Sequence, residues 1–152
     1  MSSAKTWREK LENDNDLPKK GPYEKWGGGI MVIPAPREVN ELMRRIPPGQ
    51  LKTIKELRAD LARKHDADFT CPVTTGIFAW ISAHAAEEAR EEGETEITPY
   101  WRTLKTGGEL NPKYPGGIEA QRQKLESEGH HVVQRGKRFF VSDFESALAK
   151  TS

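Results

Sequence analysis

The sequence predicts a mainly α-helical domain with one small β-hairpin, preceded by an N-terminal arm. Three observations predict it. Helix signals mark four stretches between residues 34 and 128. Two short β-prone runs flank Arg135-Gly136-Lys137. Residues 1–29 are interrupted by Pro18, Gly21, Pro22 and the glycines at 27–29, which break any periodicity.

The arm spans residues 1–33. Lys5 to Leu11 reads as a short helical turn carrying Trp7 and Leu11. Gly27-Gly28-Gly29 reads as a flexible joint, because it lacks phosphate-loop spacing and follows no strand. Trp7, Tyr23 and Trp26 are unusual in a disordered segment, so the arm is expected to pack along the domain. Ile30 to Ile33 reads as a short strand.

The domain spans residues 34–152. Pro34-Ala35-Pro36 opens a helix, proline being tolerated at the first helical position. Val39, Leu42, Met43 and Ile46 form its apolar stripe, and Pro47-Pro48-Gly49 ends it. Thr53 with Glu56 three residues on is a capping box that starts the next helix. Ile54, Leu57 and Leu61 face inward there, and His65 and Asp66 close it. The longest helix starts near Pro72 to Thr75 and runs to Glu92, with Gly93 as its cap. Its expected stripe is Ile77, Trp80, Ile81, His84 and Ala85. Its end, Glu87 to Glu92, sets carboxylates against the helix dipole, which predicts fraying.

Ile97 to Lys105 reads as extended, Thr106-Gly107-Gly108 as a turn, and Asn111 to Gly117 as a loop. Ile118 to Glu128 is a helix closed by Gly129. His130 to Gln134 and Arg138 to Val141 are the strands of the hairpin. Ser142 with Glu145 repeats the capping-box pattern and predicts a last helix with Phe144 and Leu148 inward. Helix, helix, helix, extended loop, helix, hairpin is a winged-helix-like order containing a helix-turn-helix.

Composition removes several function classes. The 152 residues suit one domain plus an arm. The one cysteine, Cys71, excludes an internal disulfide, a CxxC pair and any multi-thiolate zinc site. No apolar run, Ile30 to Ile33 included, is long enough to span a membrane. The N-terminus turns charged at once and lacks a secretory apolar region, so the expected place is cytoplasm or nucleoid. Charge nearly balances, with 24 Lys and Arg against 23 Asp and Glu, but it is unevenly spread. Residues 67–96 hold one basic and seven acidic residues, whereas residues 21–66 and 97–152 each hold nine basic and six acidic. Two basic blocks therefore flank an acidic helix.

Three segments carry a resemblance. Ile46-Pro47-Pro48-Gly49-Gln50-Leu51-Lys52-Thr53-Ile54-Lys55-Glu56-Leu57 resembles the opening of the DNA-binding domain of methylated-DNA–protein-cysteine methyltransferases, which reads I-P-x-G-x-V-x-T-Y-G-x-I-A. Ile97-Thr98-Pro99-Tyr100-Trp101-Arg102 stands where that family has I-P-C-H-R-V. Gly116-Gly117-Ile118-Glu119-Ala120-Gln121-Arg122-Gln123-Lys124-Leu125-Glu126-Ser127-Glu128-Gly129 matches its G-G-x-x-x-K-x-x-L-L-x-x-E-G segment. The resemblance covers about residues 46–130. It implies a small helical domain whose helix-turn-helix enters the DNA minor groove while the target base is flipped into a pocket.

The departures fall at the chemistry. Tyr100 occupies the position of the acceptor cysteine and Trp101 that of the family's histidine, while Arg102 matches. A phenol with an ordinary pKa near 10 is a poor nucleophile at neutral pH, so the implied methyl transfer is lost. This is closest in kind to alkyltransferase-like proteins, which lack the acceptor and bind alkylated DNA without repairing it. By the same resemblance Tyr100, Trp101 and Arg102 form the base pocket. The family's T-Y-G is Thr53-Ile54-Lys55 here, and its duplex-filling arginine falls at about Val73. Phosphate contacts are expected from Lys105, Lys113, Arg135, Lys137 and Arg138.

Each candidate has a plainer alternative. Cys71 precedes a helix, where the dipole favours a thiolate, and reads either as a small buried hydrophobe or as a relocated alkyl acceptor. His84, Glu87 and Glu88 have ligand spacing but no further partner in sequence, and a solvated acidic face explains them. His130 and His131 read as structural or exposed. Tyr100 to Arg102 also fit plain core aromatics with a surface arginine. The hairpin cations also fit a solubilising turn. No cofactor and no metal is expected. The reading is a non-catalytic DNA-binding protein that senses alkylated bases, with DNA and a repair protein as partners. The alternative is a protein-interaction module on the same fold, favoured by the acidic helix and the missing arginine.

Overall fold

A computed structural model describes residues 6–23 and 28–150; Trp26 and Gly27 lie outside them. In the arm, Thr6 and Glu9 form a reciprocal capping box that starts helix α1, Trp7–Glu12. Strand β1, Lys19–Pro22, pairs antiparallel with β2, Ile30–Ile33, and β2 pairs in parallel with β4, Phe69–Thr70. Tyr23 packs edge-on to Phe69, at 6.2 Å between ring centres. β1 has no apolar alternation for a sequence reading to detect.

The domain begins with helix α2, Pro36–Arg44, which buries Val39 and Met43. It stops before Ile46, which is nevertheless buried. Strand β3, Lys52–Thr53, leads into α3, Ile54–Lys64, where Glu56 accepts the Thr53 N–H at 2.8 Å as the capping box requires. Helix α4, Pro72–Glu91, runs through the middle of the molecule. Of the expected stripe, Ile81 and Ala85 are buried and Trp80 packs against the core, but Ile77 is not inward. Ala79, Ala83 and Ala86 meet Val39, Met43, Leu57 and Leu61 in the main core, while Ile77 stands 38% exposed. Small residues fill the contact between α2 and α4, while Phe78 and Trp80 pack against the edge of the same core.

After α4, residues Tyr100–Arg102 make one 3-10 turn rather than a continuous extended run, and β5, Thr103–Leu104, then pairs in parallel with β3. Helix α5, Gly117–Ser127, and the hairpin of β6, Val132–Arg135, and β7, Arg138–Val141, enclose a second core of Leu51, Leu104, Leu110, Leu125, Val132 and Val141. Trp101 packs against both cores. The predicted last helix is instead a 3-10 turn, Phe144–Ala147. Asp143 enters it in the left-handed conformation, φ 55°, so the Ser142–Glu145 box does not form. The chain then runs extended beside Leu51, whose N–H donates to Ala147 and whose carbonyl accepts from Ala149, both at 2.8 Å.

The acidic end of α4 remains helical to Glu91 because it has partners. The Glu88 carboxylate accepts the N–H groups of Trp7 at 3.1 Å and Arg8 at 2.9 Å. Arg8 pairs with Glu92 and Glu94, each at 2.8 Å. The start of α1, with its positive dipole end, thus offsets carboxylates that oppose the dipole of α4.

Candidate nucleic-acid interface

The 3-10 turn holds Tyr100, Trp101 and Arg102 in three different environments. The Tyr100 ring is 1% exposed and lies edge-on to Trp101 and Tyr114, at 5.4 and 5.6 Å between centres. Its hydroxyl donates to Glu87 at 3.0 Å. Burial, and then the charge and hydrogen bond of Glu87, push the phenol pKa well above its ordinary value. Its proton therefore stays in place at neutral pH. Trp101 is half-buried, with the Lys124 ammonium 5.1 Å and the Arg102 guanidinium 5.4 Å from its ring centre.

Arg102 is engaged inside the protein. Its guanidinium forks onto Glu128 through bonds of 2.6 to 3.1 Å and donates to the Ile46 carbonyl at 2.8 Å. Burial works against the Glu128 charge. The bonds from Arg102 and the Gly49 N–H outweigh it, holding the carboxyl below its usual range.

Beside Tyr100 opens a cleft of about 640 Å³, walled by α1, α4, α5 and the Pro115-Gly116 loop. Gly116 has φ +78°, and a Cβ there would meet the Ala120 methyl at 2.5 Å. Trp7 closes one side, stacked on His84 at 4.5 Å and 23°, with the Lys10 ammonium 4.3 Å from its ring centre. His84 Nε2–H donates to the Lys113 carbonyl at 2.8 Å, which fixes the loop against α4. Lys124 and Arg90 supply the cations of this cleft, and Glu87, Glu88 and Glu91 its carboxylates. Lys124 and Trp7 are the residues here that sequence reasoning missed as site residues. For Lys124 the signal lay in its place one turn after Gln121, whose side chain holds Asn111 and Trp101.

The remaining basic candidates divide. Lys105, Arg135, Lys137 and Arg138 gather at the hairpin. Arg135 and Arg138 are paired across β6 and β7, Lys137 lies in the turn between them, and both guanidiniums sit 5.2 Å from the Phe140 ring centre. Arg138 forks onto Glu109 at 2.7 and 3.0 Å, and Lys105 lies 3.8 Å from the same carboxylate. The Arg138 hydrogen bond holds the Glu109 carboxyl below its ordinary range. Glu109 is buried and Arg138 exposed, so the pair shows solvent its positive member. Lys113 stands apart, beside His84.

Helix α4 opens on a different surface. Val73 is 65% exposed and Ile77 joins it, with no lysine or arginine between Pro72 and Ala89. Cys71 is half-buried at the helix start, where its N–H donates to Val32 at 2.9 Å and its carbonyl accepts from the Thr75 hydroxyl at 2.7 Å. Among the described residues, no group of three or more His, Cys, Asp or Glu is placed to hold a metal ion.

No family model matches the sequence, and no curated protein matches it. Solved structures do. The chain is similar to S. pombe ATL in complex with DNA, at 20% identity and a TM-score of 0.55. It is also similar to S. pombe Atl1 in complex with damaged DNA containing O6-carboxymethylguanine, at 19% identity and a TM-score of 0.50. Each likeness covers 76% of this chain and 94% of the other. The chain has the alkyltransferase-like fold. About a quarter of it lies outside the part shared with each alkyltransferase-like structure.

Proposed function

We propose that this is a non-catalytic DNA-binding protein of the alkyltransferase-like kind, which holds an altered base at the Tyr100 cleft. Helices α3 and α4 act as its helix-turn-helix, and the β6–β7 hairpin acts as a wing whose Arg135, Lys137 and Arg138 meet phosphates. The observation that carries this reading is the cleft at Tyr100 and the Gly116 loop, on a fold seen elsewhere bound to damaged DNA. Tyr100 supports the expectation of no methyl transfer at that position: a buried phenol donating to a carboxylate is a poor nucleophile at neutral pH. Lys113, Lys124 and Lys105 add cations at the two ends of the surface.

The test is fluorescence anisotropy with a labelled duplex, with and without one O6-methylguanine, across a salt series. Tighter binding to the modified duplex, weakening steeply with salt, is the expected result. Equal affinity for both duplexes removes base sensing and leaves a general DNA binder. No binding at low salt overturns the reading and favours the second one, an interaction module presenting the apolar Val73 and Ile77 face of α4. Intact mass after incubation with an alkylated oligonucleotide is expected to show no gain. A gain of one methyl that disappears in Cys71→Ser would assign transfer to Cys71.

A further inference from the structure

A second cleft, larger than the one at Tyr100, lies away from it. It measures about 1100 Å³ and is bounded by the end of α2, the 46–50 loop, the outer side of α3 and the chain from Ser146 to Lys150. Its lining holds five cations, Arg45, Lys52, Arg63, Lys64 and Lys150, against one carboxylate, Asp60.

The ion pairs around this cleft are asymmetric. Asp60 is 8% exposed and is held by buried Lys52 and by Arg63, which is itself 55% exposed. Glu38, the partner of Lys64, is 12% exposed, whereas Lys64 is 57% exposed. Arg45 is exposed and pairs with Glu41, the exposed carboxylate of the group. In the first two cases the acid is turned inward and the base outward, so the rim presents positive charge although the pairs balance formally. Between the cations the half-buried Leu42, Ala147 and Leu148 give the cleft an apolar floor.

We propose that this cleft docks an acidic, amphipathic peptide segment of a partner protein. The rim receives its carboxylates and the floor its apolar side chains. Charge complementarity selects a polyanion. The apolar floor then favours a peptide over a nucleic-acid backbone, which has no aliphatic side chains to bury there. This surface is separate from the Tyr100 cleft and does not depend on it.

The experiment uses the full chain and a fluorescein-labelled 14-residue peptide, with leucine at helical i, i+3, i+4, i+7 spacing and glutamate elsewhere. Two control peptides carry serine for each leucine or lysine for each glutamate. The expected result is salt-dependent binding of the leucine–glutamate peptide alone, weakened about tenfold or more by the exposed-site pair Arg45→Glu and Lys150→Glu. Circular dichroism confirms the fold of the variant. The proposal is overturned if the leucine–glutamate peptide does not bind, if the serine control binds equally, or if the variant binds unchanged. It is also overturned if a duplex competes the peptide away and loses affinity in the same variant, which would make the cleft a nucleic-acid surface. Loss of duplex binding at the Tyr100 cleft, measured separately, would leave it standing.

Discussion

Replacing Arg102 by methionine removes three bonds to Glu128 and one to the Ile46 carbonyl while keeping most of the side-chain volume. The Arg102 and Glu128 side chains are only 12% and 14% exposed, so the carboxylate left behind cannot recover its hydration. Breaking a buried pair from one side costs about 3–5 kcal/mol, and the remaining Gly49 donor places this case near about 3 kcal/mol. For a chain of this length that is a fall in Tm of about 6–12 °C. Glu128→Gln costs less, and the double variant is expected to recover about 1–3 kcal/mol relative to the sum of the singles. The pH dependence has a definite sign. The folded carboxyl lies below its ordinary value of 4.5, so its stabilising effect is present above that pH and lost as pH falls through the folded pKa. Arg102→Met should therefore flatten the acid limb of stability between about pH 5 and pH 3. Urea unfolding followed by tryptophan fluorescence, on all four proteins across pH, measures each quantity. A cost under about 1 kcal/mol, with additive single effects, would refute the reasoning and make the pair an ordinary surface one.

Three further outcomes are expected. Gly108→Ala should cost more than about 1 kcal/mol, read as a lower urea midpoint at unchanged m, because φ is +85° and the new Cβ collides with the Phe144 ring; a neutral result would contradict that geometry. Trp7→Ala should cost about 1–3 kcal/mol and speed amide exchange at residues 7 and 8, since the indole stacks on His84 and meets Trp80 edge-on at 5.3 Å; unchanged exchange would mean that the ring does not hold α1 down. Arg135→Glu with Lys137→Glu should reduce the salt slope of duplex binding by about 2, at about 0.9 per lost phosphate contact, and an unchanged slope would remove the wing from the interface.

Legibility in the sequence followed how local the signal was. The Thr53–Glu56 box, the Ile30 strand and the turn at Gly136 and Lys137 depend on neighbours a few residues away, and all were readable. The Ser142–Glu145 pattern has the same form, yet Asp143 takes a left-handed turn so that the following residues reach Leu51. Tertiary pairing overrode a local preference there. Hydrophobicity alone predicts Ile77 inward, but the contact of α2 and α4 is made by alanines. At the site, the cations of the hairpin were visible as a cluster in sequence. The engagement of Arg102 with Glu128, the arm at the Tyr100 cleft and the role of Lys124 were not. Each joins residues that a linear reading has no reason to pair.

The acidic end of α4 and the start of α1 are separated by about 80 positions along the chain, as the Arg8 to Glu88 bond shows. During synthesis the arm therefore emerges with its docking surface not yet made. At about 5–20 residues per second it waits roughly 4–16 s before Glu88 leaves the ribosome. Through that interval Trp7 has neither His84 nor Trp80 to pack on. Closure of the arm onto α4 is thus a late event in the life of each new chain.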